Sequence, residues 1–137
     1  TRRAVGLVEQ GAKKAEKKIT DVDIAGCLVV CVEDDSKRAK DQVRPLIALY
    51  LSVFPNIARE TELPDDFINK TRSTFQQDGL MAAAGLISDE IVDSLVVAGT
   101  PEECRERVAQ YRAAGLQHPV IFPLETNLQK AMDAFAP

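Results

Sequence analysis

The feature that most constrains this chain is the stretch 24–32, which is almost unbroken in apolar side chains, rich in valine, and ends on three acids, Glu33, Asp34 and Asp35. A β-branched run without polar alternation suits a strand buried on both faces, as in a parallel sheet flanked by helices. A second run, His118-Pro-Val-Ile-Phe-Pro123, reads as another short buried strand, with its prolines at the ends where a missing N–H does least harm. Residues 95–98 are too short to be more than extended.

Between and around these runs the pattern is helical. Ala4, Leu7, Val8, Ala12 and Ala15 give a one-sided surface helix over residues 4–18. After an Asp35 or Ser36 cap, Val43, Leu46, Ile47, Tyr50, Leu51 and Phe54 recur at i, i+3, i+4, i+7 spacing, with Pro45 expected to kink that helix or divide it in two. Phe67, Ile68, Thr71 and Phe75 mark the inward side of a shorter helix stopped by Gly79. Residues 80–84 add a turn, and Ser88 caps a short helix carrying Ile91 and Val92. Thr100 at N-cap, Pro101 at the first helical position and Glu103 at the capping-box position announce a further helix, which buries Cys104, Val108 and Tyr111 and stops at Gly115. A last helix covers residues 126–135. Tyr50, Phe54, Phe67, Phe75 and Tyr111 are expected in the core.

Two apolar parallel strands joined by a long helical crossover are βα wiring. Alone they cannot satisfy their edges or cover both faces, so further strands are expected upstream. The opening Thr1-Arg2-Arg3, without an initiator Met, reads in the same way, as part of a longer chain.

With 17 Lys plus Arg against 21 Asp plus Glu and no block of like charge, the sequence lacks the basic footprint of a nucleic-acid or anionic-membrane partner. It has no apolar run near the roughly 20 residues that span a bilayer and no charged-then-apolar leader, so a cytoplasmic protein is expected. Cys27, Cys31 and Cys104 form neither a disulfide set nor a C-x-x-C knuckle, and with a single histidine no metal site is expected. Cys27 and Cys31 read as small buried apolar side chains.

Candidate site residues follow from topology. Glu33 and Asp34 lie where a strand ends and a helix begins, which is the active-site side of an α/β sheet, and Glu125 follows the second strand in the same way. Thr100 and Phe122 share that side. Gly99-Thr100 at a helix N-terminus could hold an anion, but Glu102 and Glu103 already occupy the favourable first turn and would repel a phosphate. His118 begins its strand, at the opposite end, and no nucleophile–base set can be assembled around it. Arg44, Pro45, Arg59 and Arg72 could line a ligand mouth.

Four segments carry a resemblance: Val29-Val30-Cys31-Val32-Glu33-Asp34-Asp35, Val43-Arg44-Pro45-Leu46-Ile47-Ala48-Leu49-Tyr50-Leu51, Val96-Val97-Ala98-Gly99-Thr100-Pro101-Glu102-Glu103-Cys104 and Pro119-Val120-Ile121-Phe122-Pro123. In this order they resemble the C-terminal part of the bacterial-luciferase-like flavin and deazaflavin oxidoreductases, nearest the methylenetetrahydromethanopterin reductase group. The resemblance implies the C-terminal portion of a (β/α)8 TIM barrel, helix-rich with two or three parallel strands, residues 1–137 forming one partial domain. It makes residues 24–32 the seventh barrel strand and residues 119–122 the eighth, with the family's extra segment beside the active-site mouth between them. It also implies hydride transfer between the deazaflavin coenzyme F-420 and an organic substrate. The alternatives are an FMN-dependent monooxygenase of the same fold and a non-catalytic module that assembles with a partner chain. The family's cofactor-holding features, a strand with a non-prolyl cis peptide and a Gly-Ser-Pro-type phosphate loop, belong to the first six strands. The coenzyme is therefore expected to be bound mainly by residues outside this chain, and no catalytic or cofactor-binding residue carries over. A homodimer, or association through open strand edges, is expected.

Overall fold

In a computed structural model, which describes residues 1–124 and 127–136, the chain is a helix-rich α/β unit built on one three-stranded parallel sheet. Helix α1 (Arg2–Lys14) leads through a short 3-10 turn into β1 (Ala25–Val32). A series of helices follows: α2 (Ser36–Val53), α3 (Pro55–Arg59), α4 (Asp65–Asp78), α5 (Leu80–Ala84) and α6 (Asp89–Leu95). Then come β2 (Val97–Gly99), α7 (Pro101–Ala113), β3 (His118–Pro123) and α8 (Leu128–Phe135). The sheet order is β2-β1-β3. The first helix stops before residue 18 because Glu16 enters the left-handed region (φ 57°) and Lys17 N donates back to Ala12 O at 2.9 Å, closing the helix end.

Strand β1 is the hub. Its residues 25–30 pair with β3 and its residues 30–32 with β2, so Val30 is paired on both sides, opposite Val97 and Pro123. Past Pro123, where β3 has ended, the buried side-chain amide of Asn127 takes the place of a strand: Val32 N donates to its Oδ1, and its Nδ2 donates to Val32 O, both at 2.6 Å. A carboxamide has the donor and acceptor of a peptide unit, so the ladder is extended by one rung without backbone.

Two apolar layers meet on this strand. On the back of the sheet, Val30, Val32 and Val97 pack with Cys104 and Val108 of α7 and with Ala131 and Ala134 of α8. Helix α7 is the plain crossover from the β2 side to β3. On the other side, Cys31 joins Val43, Ile47 and Leu51 of α2, Ile68 of α4 and Val92 of α6 in a second core. Helices α2–α6 therefore form an insertion seated over the carboxyl end of β1.

The expectations that residues 24–32 form a strand buried on both faces and that residues 118–123 form a short buried strand are corrected by the structure. The front face of the first half of β1 and of β3 is open: Ala25 and Cys27 are exposed, and beside them Val120 is 52% and Phe122 54% exposed. The helical insertion reaches only the last residues of β1, and nothing else among the described residues lies over the front. Cys27 is thus not a buried side chain, although Cys31 is. Pro45 does not divide α2, which runs unbroken from Ser36 to Val53; the buried positions Val43, Ile47, Ala48 and Leu51 on its inner side hold it together. Tyr50 and Phe54, expected in the core, lie 38% and 43% exposed, their rings 5.1 Å apart at the rim of the insertion.

The helix boundaries have local causes. Asp35 caps α2, its Oδ1 accepting from Arg38 N at 2.8 Å, and Gly79 ends α4 at φ 87°. Thr100 and Glu103 exchange the two bonds of a capping box, Thr100 N to Glu103 Oε2 at 2.7 Å and Glu103 N to Thr100 Oγ1 at 3.3 Å. A Cβ at Gly99 would collide with the returning Glu103 carboxylate, so glycine there belongs to the cap.

The Asn127 rung can be tested by removing it. Asn127→Leu leaves the Val32 N–H and C=O buried and unpaired, and should destabilise the chain by about 2–4 kcal/mol in urea unfolding. A change within about 0.5 kcal/mol, the scale of ordinary surface substitutions, would show that the rung carries no weight.

Candidate functional site

The carboxyl end of β1 is where the chain concentrates its polar chemistry. Glu33 follows directly on the strand, its backbone N donating to Gly99 O at 3.0 Å, so it sits at the junction of β1 and β2. Its side chain is buried, only 5% exposed, and surrounded by donors. Gln42 Nε2 donates to its Oε1 at 2.9 Å, Lys130 of α8 donates to its Oε2, Asn127 Nδ2 lies 3.5 Å from Oε1, and Arg38 Nε stands 3.8 Å from Oε2. Four elements therefore converge on one carboxylate: β1, α2, the turn before α8, and α8.

The electrostatics follow from these contacts. The Lys130 ammonium, then the Gln42 amide and the Arg38 charge, hold the Glu33 carboxyl below its ordinary value of 4.5, against the opposing cost of burial. In return the Glu33 hydrogen bond holds Lys130 above its ordinary 10.5. Glu33 is thus an ionised, fully engaged anchor and lacks the free lone pairs and raised pKa of a general base poised near neutrality. Behind it, burial, followed by the Glu33 charge, raises the Cys31 thiol to about 11, and burial raises Cys104 to about 12, so both stay protonated at neutral pH.

The sequence-derived candidates fall into different environments. Asp34 is beside Glu33 but points to solvent, reached by Lys130 at 3.4 Å. Thr100 follows the end of β2 with its hydroxyl committed to the capping box. Phe122 is opposite Val29 on the open front of the sheet, four strand positions short of Glu33, which is roughly 13 Å along a strand. Glu33, Asp34 and Thr100 share one end of the sheet, whereas Phe122 belongs to its front wall. Glu125 lies outside the described residues. Of the arginines expected at a ligand mouth, Arg44 is turned into the insertion, bonded to Asp41, Asp89 and the Ile87 carbonyl, and Arg72 Nε donates to Ser52 O at 3.2 Å. His118 is exposed at the far end of the sheet, 3.5 Å from Asp23.

Sequence reasoning missed Gln42, Asn127 and Lys130. Gln42 lies one turn beyond Arg38 on the face of α2 that returns to β1, a signal visible in principle. Asn127 and Lys130 reach Glu33 across more than ninety residues, which no local pattern reports.

A phosphate-bearing coenzyme would need a free cation or an uncapped helix N-terminus here. Lys130 donates to Glu33 and Glu103 holds the amino end of α7, while Arg38, 69% exposed, stands 3.8 Å from Glu33 with most of its guanidinium in solvent. The described residues at this end of the sheet thus have most of their polar groups already engaged with carboxylates. What they offer is an apolar wall, Val29, Val120 and Phe122, continuous with a groove under the insertion.

The ion cluster carries a pH signature. Because folding lowers the pKa of Glu33, its contribution to stability is present above pH 4.5 and is lost as the pH falls through the lower folded value. Lys130, raised, contributes fully below pH 10.5 and loses its contribution as the pH rises through its folded value. The carboxyl carbon resonance of Glu33 should therefore titrate below 4.5, and Lys130→Met, which removes the largest lowering contact, should move that midpoint upward. A midpoint unmoved by Lys130→Met would contradict the assignment.

Comparison with known proteins adds the family. The model of the luciferase-like monooxygenases matches residues 1–118. The 5,10-methylenetetrahydromethanopterin reductase of Methanolobus tindarius is 25% identical over 132 residues, covering 94% of this chain and 40% of that protein. The enzyme of the same name from Methanopyrus kandleri is 20% identical over 132 residues, covering 95% and 38%. The solved structure of the coenzyme F-420-dependent tetrahydromethanopterin reductase from Methanopyrus kandleri superposes with a TM-score of 0.80 at 18% identity, covering 97% of this chain and 39% of that one. The chain thus spans about two fifths of the length of the relatives it matches. With more than four fifths of its residues inside the family model and its fold shared with a reductase of that family, the chain belongs to the luciferase-like monooxygenase family.

Proposed function

We propose that this chain is the closing part of a (β/α)8 barrel in an oxidoreductase that transfers hydride between the deazaflavin coenzyme F-420 and an organic substrate. The observation that carries the reading is the open front of the sheet. A face of Ala25, Cys27, Val120 and Phe122 left uncovered beside a helix-packed back is what two neighbouring barrel strands present when the other strands are not there to face them. The names of the relatives supply the coenzyme and the reaction class.

In this reading the coenzyme, when bound, supplies the hydride chemistry, and its charged part is held by residues outside this chain. The residues present have three tasks. Val29, Val120 and Phe122 form an apolar wall that keeps water from the reacting region. The α2–α6 insertion roofs the carboxyl end of β1. The cluster of Glu33, Lys130, Gln42 and Asn127 locks that end of the sheet to α2 and α8, so that wall and roof keep a fixed spacing, as positioning for hydride transfer requires. The substrate is a small organic molecule, and the protein pairs with a second copy of itself as an ordinary homodimer.

The exposed apolar wall also favours a second reading, in which the chain assembles through its sheet with a separate partner. Assays on the longer protein that carries this chain, run with and without oxygen, separate the readings. We expect reduced F-420 to be oxidised when an organic acceptor such as methylenetetrahydromethanopterin is added, with no oxygen consumed. The isolated chain should bind neither F-420 nor FMN. Oxygen-dependent turnover with FMN would move the protein to the monooxygenase reading, and a longer protein that binds neither coenzyme would overturn the oxidoreductase reading.

A further inference from the structure

The insertion does more than roof the sheet: between it and β1 runs a groove of about 230 Å³. Val29 of β1 forms its floor, Leu46 and Tyr50 of α2 one wall, Ile57 of α3 the rim and Leu95 the far side. Val29 is also the strand residue opposite Phe122, so the groove opens directly onto the front wall of the sheet. Its lining contains no charged residue, and of its two hydroxyls that of Thr61 donates to Ala58 O at 2.6 Å. The other belongs to Tyr50, which stands at the partly exposed edge.

This chemistry selects its occupant. A buried charge here would find no partner and would pay the full cost of leaving water, whereas an uncharged ring loses only its own hydration. The volume exceeds the roughly 150 Å³ of the engineered apolar cavity that takes benzene. We infer that the groove is a subsite for an uncharged, ring-sized apolar group of the organic substrate, with the Tyr50 hydroxyl at its polar edge, and that it excludes the charged parts of substrate and coenzyme alike. The substrate assignment rests on the proposed oxidoreductase reading; the selectivity of the groove for uncharged rings does not.

The test uses the longer protein that carries this chain, with methyl-labelled Leu, Ile and Val, titrated with benzyl alcohol and, separately, with benzoate, a ring of similar size that carries a charge. Benzyl alcohol should shift the methyls of Leu46, Ile57 and Leu95 along one saturable curve, with a dissociation constant on the order of 1 mM for so small a ligand. Benzoate should leave them still. Ile57→Trp, at a rim position that is already 44% exposed, should fill the groove and weaken binding by about tenfold or more. As a second variant, Leu95→Met, which keeps the volume, should retain binding. Shifts that do not saturate, that are as large at Val120 or Leu128, that appear equally with benzoate, or that survive Ile57→Trp would overturn the inference. None of these readouts needs coenzyme. A failed hydride-transfer assay would therefore count against the proposed function and leave the groove standing, while absent shifts would do the reverse.

Discussion

Everything in this chain hangs on the last three residues of β1. At Val30, Cys31 and Val32 the strand is paired with β2, the back layer of α7 and α8 packs from one side, and the inserted helices pack from the other. The sheet has too few strands to stabilise itself by pairing alone. It persists because both apolar cores share this one segment, and because the rung that β3 cannot supply is made by Asn127. The buried Glu33 then becomes affordable: one residue beyond the cores, it is compensated by donors from α2 and α8, so the cost of its desolvation is offset by several charge-assisted bonds.

The same arrangement divides the surface into a polar end and an apolar wall. At the polar end the buried groups are already used, Glu33 by Lys130 and Gln42 and Thr100 by its capping box, while Arg44 is engaged within the insertion. The front wall is the reverse, with the large apolar side chains of Val120 and Phe122 left exposed by the described residues. In the oxidoreductase reading proposed above, a chain organised in this way would contribute walls and rigidity, with coenzyme capture left to residues elsewhere in the protein.

The local features were legible in the residues. Thr100-Pro101-Glu102-Glu103, the Asp35 cap and the Gly79 and Gly115 stops follow from side-chain and backbone chemistry within a few positions, and each appears where the pattern puts it. Partial coverage of a strand was not legible, because an apolar run states that both faces are meant to be buried and says nothing of which neighbours are at hand; hence the open Cys27 and Phe122. Whether α2 continues through Pro45 or divides there was left open for a similar reason, since the loss of one N–H is local and the packing that outweighs it is not. The placement of β2 on the far side of β1, and the convergence of Asn127 and Lys130 on Glu33, depend on contacts across most of the chain. Within the site, therefore, Glu33 and Asp34 could be named from topology, but the residues that determine what Glu33 does could not.

The most direct test of the central claim is native-state amide hydrogen exchange. If β1 is the shared support of both cores, the amides of Val30, Cys31 and Val32 should be the slowest to exchange, opening only with global unfolding, and α2 and α7 should lose their protection with them in a single step. If the α2–α6 amides stay protected after those of β1 have exchanged, the insertion is an independently stable unit and the sheet end is not what holds the molecule together.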